Sequence, residues 1–215
     1  MNNFSRSNSQ PFFIVALIMM AIAFAVGYMA GSGGVNLGPG LSPSGAPAGS
    51  EDGISVNFSP HGGCTDRVVA EIGKAQSSIE MQAYSFTSQP ITDALVAAHH
   101  RGVKVTVVLD EKANDDPKER SEAPEIAADK IPTYLDARHS IAHNKIILID
   151  GRTIITGSFN FTKQAERNNA ENLLVIEGRP KLAAAYEANF REHLGHSMPF
   201  SASTAREPTG SRSFR

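Results

Sequence analysis

His143-Asn144-Lys145-Ile146-Ile147-Leu148-Ile149-Asp150-Gly151-Arg152-Thr153-Ile154-Ile155-Thr156-Gly157-Ser158-Phe159-Asn160 reads as two aliphatic strands joined by an Asp-Gly turn. Branched residues fit a pleated, buried surface, and an Asp-Gly pair between two such runs signals a tight hairpin. Residues two apart in a strand share a face, so His143 and Lys145 point the same way. A core strand therefore presents an imidazole beside a fixed cation.

Working outward, the chain alternates strand and helix signals. Upstream lie a strand at Ile54–Phe58, a helix at Thr65–Lys74, a strand at Ser78–Tyr84, a helix at Ile91–Arg101 and a strand at Val103–Leu109. The last is apolar enough to be buried on both faces. Glu111–Lys130 is less regular and is punctuated by Pro117 and Pro124; with Pro132 beyond, it suggests a loop bordering the site before a short strand at Thr133–Leu135. Downstream come a strand at Asn172–Glu177 and a helix at Lys181–His193. This order predicts an α/β fold, a mixed β-sheet sandwiched between helices.

The flanks have other compositions. Phe12–Ala30 is uncharged, mostly apolar and about long enough to cross a hydrocarbon core; it is read as a transmembrane anchor or a signal peptide. Residues 31–50 hold seven Gly, four Ser and three Pro, a flexible tether. The expected organisation is residues 1–30 as membrane segment, 31–50 as linker, 51–198 as catalytic domain and 199–215 as a disordered tail. Arg6, the single charged side chain before Glu51, favours a cytoplasmic N-terminus and a domain on the extracytoplasmic side.

Charge narrows the function classes. Residues 51–215 carry 19 Lys and Arg against 22 Asp and Glu, so the domain is not a globally basic nucleic-acid binder. A polyanionic substrate must be held by a local cluster, with His143, Lys145, Lys163 and Arg167 near the motif. Cys64 is the sole cysteine, which excludes an intrachain disulfide. His61 with Cys64, and His193 with His196, have ligand-like spacing, but neither pair has a second complete pair to join it. No metal and no other cofactor is expected.

His143, Lys145 and Asp150, followed by Gly157, Ser158 and Asn160, resemble the motif of the phospholipase D superfamily. Ala83-Tyr84-Ser85-Phe86-Thr87, Gly157-Ser158-Phe159-Asn160-Phe161-Thr162-Lys163 and Glu171-Asn172 are similar to the small single-motif bacterial endonucleases of that superfamily. The likeness covers about Ile54 to Leu194. It implies a phospholipase D/nuclease-like fold with one motif per chain, and a metal-independent phosphodiesterase working through a phosphohistidine at His143. Lys145, Ser158 and Asn160 would bind the phosphoryl oxygens. Glu171 would orient the imidazole, since a carboxylate on the second ring nitrogen fixes the tautomer.

Three residues have competing readings. Asp150 belongs to the family motif, yet an Asp-Gly turn already explains it. Ser158 serves either as a hydroxyl donor or to shape the turn. His139, four residues before His143, is an ordinary loop histidine or an approach to phosphate. The chain holds no second His-x-Lys pattern and no internal repeat, so the acid for the leaving group is missing. A two-fold homodimer would supply it as a second copy of His143. The substrate is nucleic acid, cleaved without strong sequence preference, or a membrane phospholipid; the third reading is a catalytically idle, membrane-tethered nucleic-acid-binding module.

Overall fold

The computed structural model describes residues 47–115 and 120–201. The apolar run Phe12–Ala30, most of the linker and the tail beyond Ser201 lie outside the described residues. Among the described residues no helix is long and apolar enough to cross a membrane.

Among the described residues nine strands form one mixed sheet: β1 (Gly49–Glu51), β2 (Ile54–Ser59), β3 (Ser78–Ala83), β4 (Lys104–Asp110), β5 (Thr133–Asp136), β6 (Lys145–Ile149), β7 (Thr153–Gly157), β8 (Glu171–Ile176) and β9 (Met198–Pro199). Their order is β1-β2-β8-β7-β6-β3-β4-β5-β9. The β3-β4-β5 pairings are parallel, joined by helical crossovers, and every other pairing is antiparallel. The helices are α1 (Cys64–Lys74), α2 (Gln89–His100), α3 (Glu111–Asp115), α4 (Ala123–Ala128), α5 (Lys163–Arg167) and α6 (Pro180–His196).

The two faces of the sheet carry different cores. Ile79, Met81, Ile147 and Ile155 pack with Val68 and Ile72 of α1 and Ile91 and Leu95 of α2. Burying each large aliphatic side chain here contributes about 1.5–3 kcal/mol. The alternate residues Leu148 and Ile154 join Ile176, Ala183 and Tyr186 in a smaller core beneath α6, which lies across β3, β5, β6 and β7. The expected mixed sheet between helices is what forms.

Differences sit in short elements. Expected as irregular, 111–130 contains α3 and α4; Asp110 Oδ1 accepts the Ala113 N–H at 2.9 Å, a capping bond that starts α3. Strand β1 begins at Gly49, two residues inside the expected linker. Phe200, placed in the expected tail, packs against the larger core, and its N–H reaches Thr133 O at 2.8 Å. Strand β9 has two residues, too few for any periodic signal.

Candidate active site

The site grows from one end of the central strands. β6 pairs with β3 in the register Lys145 to Ala83, and the ladder continues with the Tyr84 N–H donating to Asn144 O at 3.0 Å. Tyr84, just past the end of β3, therefore stands beside the motif. Its ring lies 4.7 Å from the His143 ring, centroid to centroid, and Lys145 Nζ sits 5.1 Å from the Tyr84 centroid, within cation–π range. His143 is exposed while Lys145 is buried.

Lys145 donates to the His143 carbonyl at 2.8 Å. An ammonium has three N–H bonds, so this leaves donor capacity for a ligand. Burial pushes its pKa below the ordinary lysine value, and the Glu171 carboxylate pushes it back up. A partly dehydrated cation attracts a phosphoryl oxygen more strongly than a solvated one.

Asn160 arrives from the neighbouring hairpin. Phe159 and Phe161 are fully buried and pin the segment. Asn160 lines a cleft of about 490 Å³ with Tyr84, Ser85, Thr87, Lys112, Thr162 and Gln164. Its Oδ1 is buried without a hydrogen-bond partner among the described residues. Such groups are rare in folded proteins and mark places completed by solvent or ligand. His143 and Lys145 line a separate opening of about 480 Å³, on the side of Leu182, Tyr186 and Asn189 of α6.

Gly157 makes the turn into this segment possible. At φ 143° it has backbone freedom that other residues lack, and a Cβ there would meet Asn172 O at 2.3 Å. The Ser158 and Phe159 N–H groups both donate to that same carbonyl. Ser158 Oγ accepts the Asn172 N–H at 3.1 Å and its side-chain Nδ2 at 3.3 Å. The hydroxyl thus shapes the turn, as the alternative reading had it, while its own proton stays available to donate.

Of the expected set, the structure brings His143, Lys145 and Asn160 around Tyr84 and brings the charge of Glu171 to Lys145. The expected bond from Glu171 to His143 is not formed among the described residues; Glu171 accepts instead from Asn169 Nδ2 at 3.0 Å. Asp150 is corrected from a catalytic to a structural position. It lies at the far end of β6, five residues or about 16 Å from Lys145. There Oδ1 accepts from the N–H groups of Ser77 and Ser78 at 2.7 and 2.9 Å and from Ser77 Oγ at 2.8 Å, and Oδ2 from Gln76 N–H at 2.9 Å. Asp150 and Gly151 both have positive φ, 53° and 62°, as a tight hairpin turn needs. Lys163 and Arg167 are exposed on α5.

Sequence reasoning missed two contributors. Lys112 lines the cleft from α3, one lysine in a charged stretch with nothing to distinguish it. Asp110 fixes the segment that carries His143, its Oδ2 accepting the Ala142 N–H at 2.7 Å. Cys64 is buried; desolvation, Glu166 and Glu171 push its pKa up to about 12, so the thiol stays protonated. His139 is drawn away from the site into contact with Asp136, His193 and His196.

Residues 68–194 match the family model described as cardiolipin synthase, PLD-like domain. The chain is 46% identical over 141 residues to a phospholipase D of Rickettsia prowazekii, covering 66% of this chain and 67% of that protein. Among solved structures it is similar to the phospholipase D family member Nuc from Salmonella typhimurium, with 40% identity and a TM-score of 0.67, covering 69% of this chain and 98% of that one. NucT from Helicobacter pylori shares the fold, with a TM-score of 0.62 at 24% identity over 68% of this chain and 98% of that one. With an imidazole, a dehydrated cation and an open amide gathered at the motif, the chain belongs to the phospholipase D superfamily and is a phosphodiester hydrolase.

Proposed function

We propose that the protein cleaves nucleic acid phosphodiesters, without strong sequence preference, through a phosphohistidine at His143. The observation that carries this reading is the lining of the cleft beside the motif: Ser85, Thr87, Lys112, Asn160, Thr162 and Gln164 are polar, and Tyr84 offers a ring on which a base can stack. A single-stranded backbone needs such a groove, whereas an acyl chain needs apolar walls. A ring nitrogen of His143 attacks phosphorus, the bond to the leaving oxygen breaks, and Lys145 and the Asn160 amide hold the nonbridging oxygens. Water then attacks the phosphohistidine and frees His143.

The leaving oxygen needs a proton. His139 is committed to Asp136, and among the described residues neither opening at the motif is lined by a histidine other than His143. A second copy of the chain, related by two-fold symmetry, supplies its own His143 as the acid and later as the base for water. The exposure of His143 in the single chain leaves it free for that approach. Phe12–Ala30 would hold the enzyme at a membrane or direct its export.

One observation favours a phospholipid instead: Ile141, two residues before His143, is 56% exposed, and Leu182 is 41% exposed at the neighbouring opening. The Rickettsia relative's name points the same way. Assays of the full chain on single- and double-stranded DNA, RNA and phosphatidylcholine vesicles, side by side in excess EDTA, separate the two. Nucleic acid cleavage with intact phosphatidylcholine is expected; choline release with intact nucleic acid would overturn the reading. Mixed with an excess of His143→Asn chains after dissociation and reassembly, the wild type should lose activity beyond simple dilution. Loss only in proportion to dilution would remove the shared site.

A further inference from the structure

The last turn of α6 and the end of β5 assemble a cluster that the hydrolytic chemistry does not use. His193 and His196, three apart on a helix, lie on one face of α6. The pairing of β5 with β9, Leu135 opposite Met198, brings that face against Asp136, and the turn after β5 adds His139. His193 Nδ1 lies 2.7 Å, His139 Nδ1 3.1 Å and His196 Nε2 3.2 Å from one oxygen, Asp136 Oδ2. All four donor atoms fall within 4.8 Å of one another. This corrects the expectation that His193 and His196 lack a second ligand pair: the pair exists, about 60 residues away in sequence.

We propose that Asp136, His139, His193 and His196 bind a divalent transition-metal ion, zinc first, as a structural site apart from the hydrolytic centre. The donor set is the argument. Three imidazoles and one carboxylate suit zinc, whereas magnesium and calcium require mostly oxygen ligands. Tetrahedral zinc at about 2.0–2.2 Å from its ligands holds the donor atoms roughly 3.3–3.5 Å apart, so the carboxylate–imidazole spacings of 2.7–3.2 Å would open by about 0.1–0.8 Å and donor pairs near the 4.8 Å limit would close by about 1.3 Å. The carboxylate side chain is fully buried and those of His193 and His196 nearly so, at 12% and 13% exposure. His139, at 42%, leaves a path for the ion to enter.

Outer contacts already orient the ligands. Asp136 Oδ1 accepts the Arg138 N–H at 3.0 Å, which turns Oδ2 toward the histidines. Without an ion, three imidazoles crowd one carboxylate oxygen, and each neutral ring offers only one N–H among its two nitrogens. A metal replaces this shared hydrogen bonding with four ligand bonds, and any histidine that is cationic beforehand releases its proton. The ion would staple α6 and β9 to β5, and so anchor the root of the segment 137–144 that delivers His143.

The test uses the full chain without a histidine tag, stripped of metal and titrated with Zn²⁺. Uptake of a single equivalent per chain, with Kd on the order of 10⁻⁷ M or below and a rise in Tm, is expected. Co²⁺ in its place should show a tetrahedral ligand-field spectrum without thiolate charge transfer, because Cys64 is not in the cluster. His139→Ala, which removes a half-exposed loop side chain and leaves the core intact, should weaken binding by more than the roughly 10–100-fold that an outer-shell loss costs. Asp136→Asn should do the same, and His100→Ala, an exposed histidine paired with Asp129, should not. Folded, stripped protein that takes up no zinc overturns the site, as does stoichiometric uptake unchanged by His139→Ala. Metal content and Tm decide the matter whatever substrate the enzyme cleaves.

Discussion

The two ends of strand β6 each carry a charged member of one sequence motif, and they use charge in opposite ways. At the Asp150 end, a carboxylate receives four donor groups, from the backbone of Gln76, Ser77 and Ser78 and from the Ser77 hydroxyl. At the Lys145 end, a buried ammonium has one carbonyl and the face of Tyr84. A saturated charge holds structure together. A charge with unused hydrogen-bonding capacity, kept partly from water, is ready for a ligand. Membership in a motif does not distinguish the two; the count of partners does.

The sharpest test of the comparison lies at the open end. His143→Asn should lower turnover by more than about 10⁴-fold, the scale of losing a covalent nucleophile, with Tm unchanged because the side chain is exposed. Phosphorylated protein should be trapped from wild type and not from the variant. Lys145→Ala should cost about 10²–10³-fold in kcat, as removal of a preorganised transition-state donor does. An active His143→Asn enzyme, or a Lys145→Ala enzyme with altered KM alone, would show that this end binds and does not react.

How far the sequence reveals this contrast depends on the range of the interactions. The hairpin, the long helices and the central strands are legible because periodicities of two and 3.6 are local. The placement of His143 beside Lys145 follows from the same pleat. The fate of Asp150 is only half legible: Asp-Gly announces the turn, but not that the carboxylate would meet Gln76, Ser77 and Ser78, more than 70 residues earlier. The Asp136 cluster is hidden for the same reason. His193 and His196 stand out at helical spacing, while their partners reach them through the register of a two-residue strand. Lys112 gave no signal at all, since only the path of the chain through α3 turns it toward the cleft.

Glu171 lies between the two behaviours: among the described residues its side chain accepts one hydrogen bond, from Asn169, and its charge acts on Lys145. Glu171→Gln should lower kcat by about 10-fold, less than either substitution above. The sign of the pH effect follows from Lys145. Burial lowers its pKa and Glu171 raises it, so removing the carboxylate lets the pKa fall further. The alkaline limb of the pH–rate profile should therefore move to lower pH. An acid limb that moves instead would place the carboxylate's influence on His143, as the sequence suggested.

The smallest effect on catalysis, and the one that most directly tests the saturated end, belongs to Asp150→Asn. An amide in this position keeps one acceptor oxygen but turns an NH₂ group toward backbone N–H donors. With allowance for solvent at this half-exposed turn, the loss is about 1–2 kcal/mol of stability, and kcat of the folded fraction should stay within about two-fold because Lys145 is about 16 Å away. The acid behaviour has a definite sign. Burial would raise the Asp150 pKa, but bonds from Ser78, Gln76 and Ser77 outweigh it and hold the carboxyl below its ordinary value. Its contribution is therefore present above the unfolded pKa of about 3.9 and lost as pH falls through the lower folded value. Denaturant midpoints measured from pH 7 to pH 3 should show wild type and Asp150→Asn converging only toward the acid end. A constant gap across that range, or a variant that folds as stably as wild type and turns over slowly, would return Asp150 to the chemistry.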